Sequence, residues 1–127
     1  MSDAGRFYDA LIVGAGPCGL MTACQLAMRN ISFAIVDKNV GFSNYSGALF
    51  IHAWSLEAFE QMGIAAQAIQ QGAPIDRVEG YYDGKRILNA NIRKMGRGQT
   101  KFPFVLALEQ GKTESLLASF LEEKGML

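Results

Sequence analysis

The sequence is poor in the residues that build metal sites and disulfide frameworks. Its 127 residues include two cysteines, one histidine and three prolines. Cys18 and Cys24 lie six residues apart in a predicted helix, a rise of about 9 Å that is too long for a disulfide. His52 has no second histidine and no cysteine pair beside it to complete a metal site. We therefore expect reduced packing cysteines in a cytoplasmic protein, and no bound metal.

The chain also lacks an excess of charge and a long apolar run. Twelve Lys and Arg residues balance twelve Asp and Glu residues, whereas proteins that bind nucleic acid or anionic membranes usually carry a basic excess. The apolar run after the polar N-terminus is too short, and too often broken by glycine, for a signal peptide or a membrane span. We expect no nucleic-acid partner and no membrane partner.

Glycine, in contrast, is abundant, with 14 residues, and the N-terminal part of the chain predicts a βαβ unit with short connections. Residues 8–13 are apolar and lead into a glycine, which predicts a buried strand of a parallel sheet. Pro17 suits the first turn of a helix that runs to Asn30, where a left-handed cap is expected. Residues 32–36 predict the second strand.

The remaining chain predicts further helices and an antiparallel hairpin. Asp83-Gly84 is typical of a tight hairpin turn between two strand-like runs. The predicted elements are helices over 53–62, 65–71 and 112–124, strands over 76–82, 85–91 and 102–108, and loops over 39–49 and 92–101. The residues of the first of these helices expected to pack into the core are Trp54, Leu56, Phe59 and Met62.

The segment from Gly14 to Gly19, Gly-Ala-Gly-Pro-Cys-Gly, fits the pattern G-x-G-x-x-G of dinucleotide-binding proteins. It leaves a predicted strand and opens a helix, and Asp37 follows Gly19 by 18 residues at the end of the next strand. Gly14 permits a sharp turn, Gly16 leaves room for a pyrophosphate, and Gly19 lets the helix lie close to the sheet. Asp37 would accept hydrogen bonds from ribose hydroxyls and repel a 2′-phosphate, which favours FAD or NAD over NADP. The alternative is a glycine-rich turn with a surface aspartate.

The run from Asp9 to Asp37 resembles the N-terminal FAD-binding region of flavoprotein monooxygenases of the aromatic-hydroxylase type, such as p-hydroxybenzoate and phenol hydroxylases. Residues 55–64 and the segment Gln110 to Leu117 are similar to later parts of the same region, in the same order. The resemblance implies an α/β fold: a Rossmann-like βαβ FAD-binding domain with an added β-hairpin, in which Gln110 contacts the flavin. The candidate cofactor-binding residues are Gly14, Ala15, Gly16, Pro17, Cys18, Gly19, Asp37, Lys38 and Gln110.

The sequence departs from this family at three positions. The family usually has glutamate at the place of Asp37, and arginine at the places of Gly47 and Trp54.

Later family motifs and a substrate domain are missing. We therefore expect residues 1–127 to be a partial, truncated domain, the first part of a longer NAD(P)H-dependent enzyme with an aromatic or similar substrate. Its catalytic residues are unknown, and a homo-oligomer is compatible with the sequence. The alternatives are an FAD-dependent oxidase, dehydrogenase or reductase, and a non-catalytic interaction module with the same fold.

Overall fold

The computed structural model describes residues 5–41 and 50–127. Its strands are β1 (Ala10–Val13), β2 (Phe33–Val36), β3 (Phe50–Ile51), β4 (Ala73–Ile75), β5 (Arg77–Tyr82), β6 (Lys85–Asn91) and β7 (Val105–Ala107). Its helices are α1 (Pro17–Met28), α2 (Ala53–Met62), α3 (Ala65–Gln71), α4 (Ile92–Met95) and α5 (Gln110–Glu123). Gly47 and most of the predicted loop over 39–49 lie outside the described residues.

The predicted βαβ unit is confirmed. Strands β1 and β2 pair in parallel, with Ala10 beside Phe33 and Val13 beside Val36. Helix α1 connects them, and Asn30 adopts the predicted left-handed conformation, with φ of 55°. This return of the chain brings the carboxyl ends of both strands to the same side as the first turn of α1.

The predicted hairpin is also confirmed. Strands β5 and β6 are antiparallel and Tyr82 pairs with Lys85, so that Asp83 and Gly84 form the connecting turn. Their φ angles of 47° and 71° are both positive, as a tight hairpin turn with the right-handed strand twist requires. The pairing register shifts by one residue between Gly80 and Tyr81, as at a β-bulge.

A three-stranded antiparallel sheet has β7 at its centre, with β3 on one side and β4 on the other. The sequence predicts β7 as a longer strand over 102–108 and does not predict β3 or β4. Both missed strands are two or three residues long. They owe their extended form to pairing with residues far away in the chain.

Helices α1 and α5 pack against each other and form the centre of the core. Cys24, Leu117 and Leu121 are almost completely buried there, and a buried leucine contributes about 1.5–3 kcal/mol of transfer free energy. The Cys24 thiol donates to the carbonyl oxygen of Leu117 at 3.5 Å, and burial raises its pKa to about 11. Cys24 is thus a packing residue, as expected.

Two predictions of buried residues, in β1 and at Trp54, are wrong. Strand β1 is not buried on both faces: Leu11 is 66% exposed and Val13 is 80% exposed. In the described chain its sheet has two strands, and α1 covers the opposite face, where Ile12 packs against the core. Trp54 does not pack either, because its side chain lies on the outer face of α2 and is 85% exposed.

Two predicted boundaries are also wrong. The segment predicted as a loop over 92–101 begins with helix α4, because the side chain of Asn91 accepts a hydrogen bond of 2.9 Å from the Lys94 amide and caps the turn. Helix α5 begins at Gln110 rather than Lys112, because the Lys112 and Thr113 amides both donate to the carbonyl of Glu109 at 3.1 Å. In the described parts of the chain, no helix is long and apolar enough to span a bilayer.

Candidate functional site

The turn between β1 and α1 has the backbone geometry of a phosphate-binding loop. Gly14 adopts φ of 107°, a conformation that side chains disfavour, and its amide donates to the carbonyl of Val36 at 2.7 Å. A Cβ atom on Gly16 would have nothing within 4 Å, whereas one on Gly19 would collide with the carbonyl oxygen of Gly14. Gly16 therefore leaves its surroundings open, and Gly19 permits close packing of helix on strand.

The first turn of α1 offers backbone amides to a negatively charged ligand. Gly16 is the N-cap and its carbonyl accepts the first helical hydrogen bond, from Leu20 at 2.9 Å. The amides of Cys18 and Gly19 precede that bond and have no partner within the helix. Pro17 lacks an amide hydrogen and fixes the helical φ at the first position. Together with the helix dipole, these amides favour a phosphate group.

Asp37 lies directly after β2 and is bonded to the glycine loop itself. Its Oδ2 atom accepts a hydrogen bond of 2.7 Å from the Ala15 amide, and its Oδ1 atom accepts one of 2.7 Å from the Asn39 amide. The bond from Asn39 and then that from Ala15 hold the pKa of Asp37 below its ordinary value, with a smaller contribution from the adjacent Lys38. The carboxylate is exposed and keeps lone pairs for a ligand hydroxyl.

A cavity of about 450 Å³ lies beside this loop. Helices α1, α2 and α5 each begin shortly after a strand, and the starts of all three contribute to the cavity wall. Its lining residues are Pro17, Cys18, Met21, Thr22, Phe50, Ile51, His52, Ser55, Phe59, Leu108, Gln110, Thr113 and Leu117. The first turns of three helices thus line one mostly apolar space, which suits a ligand with anionic and aromatic parts.

The cavity brings Gln110 to the same place as Pro17 and Cys18, about 90 residues earlier in the chain. Gln110 is the first residue of α5, and its Nε2 atom donates to Oε1 of Glu114 at 2.8 Å. The other predicted site residues do not line this cavity: Gly14, Ala15, Gly16, Gly19, Asp37 and Lys38.

Sequence reasoning missed several polar residues of the cavity wall. His52 is the N-cap of α2, but it makes no side-chain cap bond and lines the cavity. Ser55 and Thr113 also lie in first turns of helices, and Thr22 lies one turn further along α1. His52, Ser55 and Thr113 share one signal, a polar residue shortly after a strand-to-helix junction. Among the described residues, no group of three potential metal ligands is found.

The described residues fit a dinucleotide. The open space over Gly16 and the amides of Cys18 and Gly19 would hold a diphosphate. The Asp37 carboxylate would accept ribose hydroxyls, since it is charged at neutral pH and lies at the end of the neighbouring strand. The adjoining cavity would take the second half of the ligand.

Comparison with known proteins agrees with this fit. The 6-methylpretetramide 4-monooxygenase of Streptomyces rimosus is 34% identical over 118 residues, covering 93% of this chain and 21% of that enzyme. The pentachlorophenol 4-monooxygenase of Sphingobium chlorophenolicum is 34% identical over 121 residues, covering 93% of this chain and 22% of that enzyme. The chain thus spans about a fifth of the length of the curated relatives it matches.

Solved structures show the same fold. The p-nitrophenol 4-monooxygenase of Pseudomonas putida DLL-E4 superposes with a TM-score of 0.81 at 19% identity, over 90% of this chain and 29% of that one. The anhydrotetracycline hydroxylase of Streptomyces rimosus superposes with a TM-score of 0.77 at 26% identity, over 93% of this chain and 23% of that one. A family model described as "FAD binding domain" matches residues 8–127. The resemblance seen in the sequence is therefore confirmed, and the chain belongs to the FAD-binding domain family.

Proposed function

We propose that the chain is the FAD-binding portion of an NAD(P)H-dependent monooxygenase that hydroxylates an aromatic or similar organic compound. The observation that carries the proposal is the glycine loop, bonded to Asp37, beside a cavity lined by the starts of three helices. The relatives named above are monooxygenases, and their names include phenols and tetracycline-type compounds. The bound flavin supplies the redox chemistry, and the protein binds, orients and shields it.

Each part of the site has one task in this proposal. The amides of Cys18 and Gly19 bind the diphosphate, and Asp37 accepts the hydroxyls of the adenosine ribose. Lys38 lies next to Asp37 and adds a positive charge near the same end of the cofactor. Gln110, which lines the cavity together with Pro17 and Cys18, contacts the flavin half.

The negative charge of Asp37 favours FAD over a cofactor with a 2′-phosphate at this position, because two negative charges repel each other. NAD(P)H is then a co-substrate that donates its electrons to the flavin and binds elsewhere. We also place the protein in the cytoplasm, which is supported by its two free cysteines. Self-association is compatible with the exposed apolar face of β1.

Isothermal titration calorimetry of the chain with FAD and with ADP tests the binding function. We expect both ligands to bind and the variant Gly16→Val to bind neither, because its side chain fills the space above the loop. Gly5→Val is the matched control, since Gly5 also has nothing within 4 Å and lies outside the site. If the unaltered chain binds neither ligand, and Gly16→Val changes nothing, the binding function is wrong.

The reaction needs a separate test, on the full-length product of the gene. We expect oxygen-dependent NAD(P)H oxidation that increases when a phenol or a polycyclic aromatic compound is added, with a hydroxylated product seen by mass spectrometry. NAD(P)H oxidation that ignores every aromatic compound would instead indicate a reductase or an oxidase. If the purified full-length protein is colourless and shows no flavin absorbance, the chain is instead an interaction module.

A further inference from the structure

Glu114 is a buried carboxyl group that the proposed function leaves without a task. It lies in the first half of α5, one helical turn after Gln110, and only 3% of it is exposed. Its Oε1 atom accepts the hydrogen bond of 2.8 Å from Nε2 of Gln110.

The position of Glu114 on its helix is one where an apolar residue would be expected. Leu117 and Leu121 follow at spacings of three and seven, on the same buried face of α5. Removing a carboxyl group from water is unfavourable unless hydrogen bonds compensate for the lost hydration. A leucine at this position would stabilise the fold by burial alone, so the carboxyl group requires a reason other than packing.

The hydrogen bond fixes the orientation of the Gln110 amide. The accepting atom is an oxygen of Glu114, whereas a glutamine amide has an NH₂ group with two donors and an accepting oxygen. Because the nitrogen of the Gln110 amide donates to Glu114, the amide oxygen is turned away from that carboxyl group and remains available to another partner. Gln110 lines the cavity, so this oxygen is an acceptor for a ligand there.

We propose that Glu114 is a positioning residue, which holds the amide of Gln110 so that its oxygen accepts a hydrogen bond from a hydroxyl-bearing segment of the bound cofactor. Glu114 itself does not touch the ligand and acts through Gln110. The proposal rests on the FAD-binding function, because the hydroxyl-bearing segment is the chain between the diphosphate and the flavin ring. ADP has the diphosphate and lacks that segment, so it serves as an internal reference.

The test is a double-mutant cycle with Glu114→Gln and Gln110→Ala, measured by calorimetry with FAD and with ADP. Glu114→Gln keeps the side-chain size but can present either a donor or an acceptor to Gln110, which releases the orientation. We expect each single variant to weaken FAD binding about fivefold, the value of one ordinary hydrogen bond, and to leave ADP binding unchanged. In the Gln110→Ala background, Glu114→Gln should have no further effect on FAD.

Two controls separate positioning from a general loss of structure. Glu122→Gln changes an exposed glutamate of the same helix and should leave FAD binding unaltered. The side-chain NH₂ signals of Gln110, followed by NMR without any ligand, should exchange slowly with solvent in the unaltered chain and faster in Glu114→Gln. This second measurement tests without any ligand whether Glu114 holds the Gln110 amide, so a failure of the positioning role is distinguishable from a failure to bind FAD, which would refute the proposed function. Equal losses for FAD and ADP, additive losses in the cycle, or unchanged NH₂ exchange would each overturn the positioning role.

Discussion

The backbone amide of Ala15 donates a hydrogen bond of 2.7 Å to the carboxylate of Asp37, which lies 22 residues later in the chain. The same carboxylate accepts a second bond from Asn39. An acidic residue at the end of the second strand is usually assigned to the ribose of a dinucleotide. In this chain the Asp37 carboxylate is bonded to the glycine loop without any ligand.

Removal of the Asp37 carboxylate should therefore weaken the binding even of ligands that make no contact with it. We expect Asp37→Ala to weaken binding of ADP, through loss of both the ribose contact and the loop contact. Binding of 2′,3′-dideoxy-ADP, which has no ribose hydroxyls to offer, should also weaken, by a smaller factor. Calorimetry with the two nucleotides gives both values.

Asp9→Ala is the matched control for this prediction. Asp9 is also an exposed carboxylate, and it accepts a hydrogen bond of 3.2 Å from the Ser32 amide at the opposite end of the same strand pair. Its removal should leave both nucleotides bound as before. Unaltered binding of the dideoxy nucleotide to Asp37→Ala would limit Asp37 to the ribose.

The two amide bonds also set the acid titration of Asp37. The bond from Asn39, followed by that from Ala15, lowers the pKa of Asp37 in the folded protein below the ordinary 3.8. These bonds therefore stabilise the fold fully above that pH. Their contribution is lost as the pH falls through the lower folded value. An NMR titration of the Asp37 carboxyl carbon should give a midpoint below 3.8, and the Ala15 and Asn39 amide signals should shift with it. A midpoint at or above the ordinary value would contradict the loop contact.

Gly16 and Gly19 should separate binding from stability. We expect Gly16→Ala to change the free energy of unfolding by no more than about 1 kcal/mol, because the added Cβ meets nothing within 4 Å. The same variant should weaken the binding of ADP. Gly19→Ala should lower the free energy of unfolding by about 1–3 kcal/mol, as overpacked sites do, because its Cβ would meet the Gly14 carbonyl. Urea unfolding and calorimetry measure the two effects, and a reversal of this order would refute the loop geometry.

The two cysteines should differ in reactivity toward a thiol reagent at pH 8. Cys18 is exposed and lines the cavity, whereas Cys24 is buried with a pKa raised to about 11 by burial. We expect one thiol to react in the folded chain and the second only after unfolding. Saturating ADP should slow the first reaction, and Cys18→Ser should abolish it. Rapid modification of Cys24 in the folded Cys18→Ser variant would contradict the packing of α1 on α5.

Features of the fold that depend on neighbouring residues could be predicted from the sequence. The hairpin follows from Asp83-Gly84, and the βαβ unit follows from the glycine pattern and Pro17, because turn and cap preferences are local. Strand β3 could not be predicted, since its two residues are extended only through pairing with β7. Trp54 precedes Leu56 by two residues, which helical periodicity places on opposite faces of α2, so the exposure of Trp54 follows from the spacing and its predicted burial did not use it.

The site divides in the same way. The loop residues and Asp37 follow a fixed spacing and were found from it. The bond from Ala15 to Asp37 and the bond from Gln110 to Glu114 depend on side-chain orientation, which spacing does not specify. The cavity forms because the three-stranded sheet brings the starts of α2 and α5 together, so no local sequence pattern predicts it.

The wall of that cavity extends from Pro17 to Leu117 along the chain. A ligand held there is a non-covalent cross-link between the first βα unit and helix α5, and both cysteines of this chain are free. Ligand that binds only the folded state at 100 times its dissociation constant adds about 2.7 kcal/mol to stability. Cofactor loading should therefore govern how long the chain survives proteolysis as well as whether it functions.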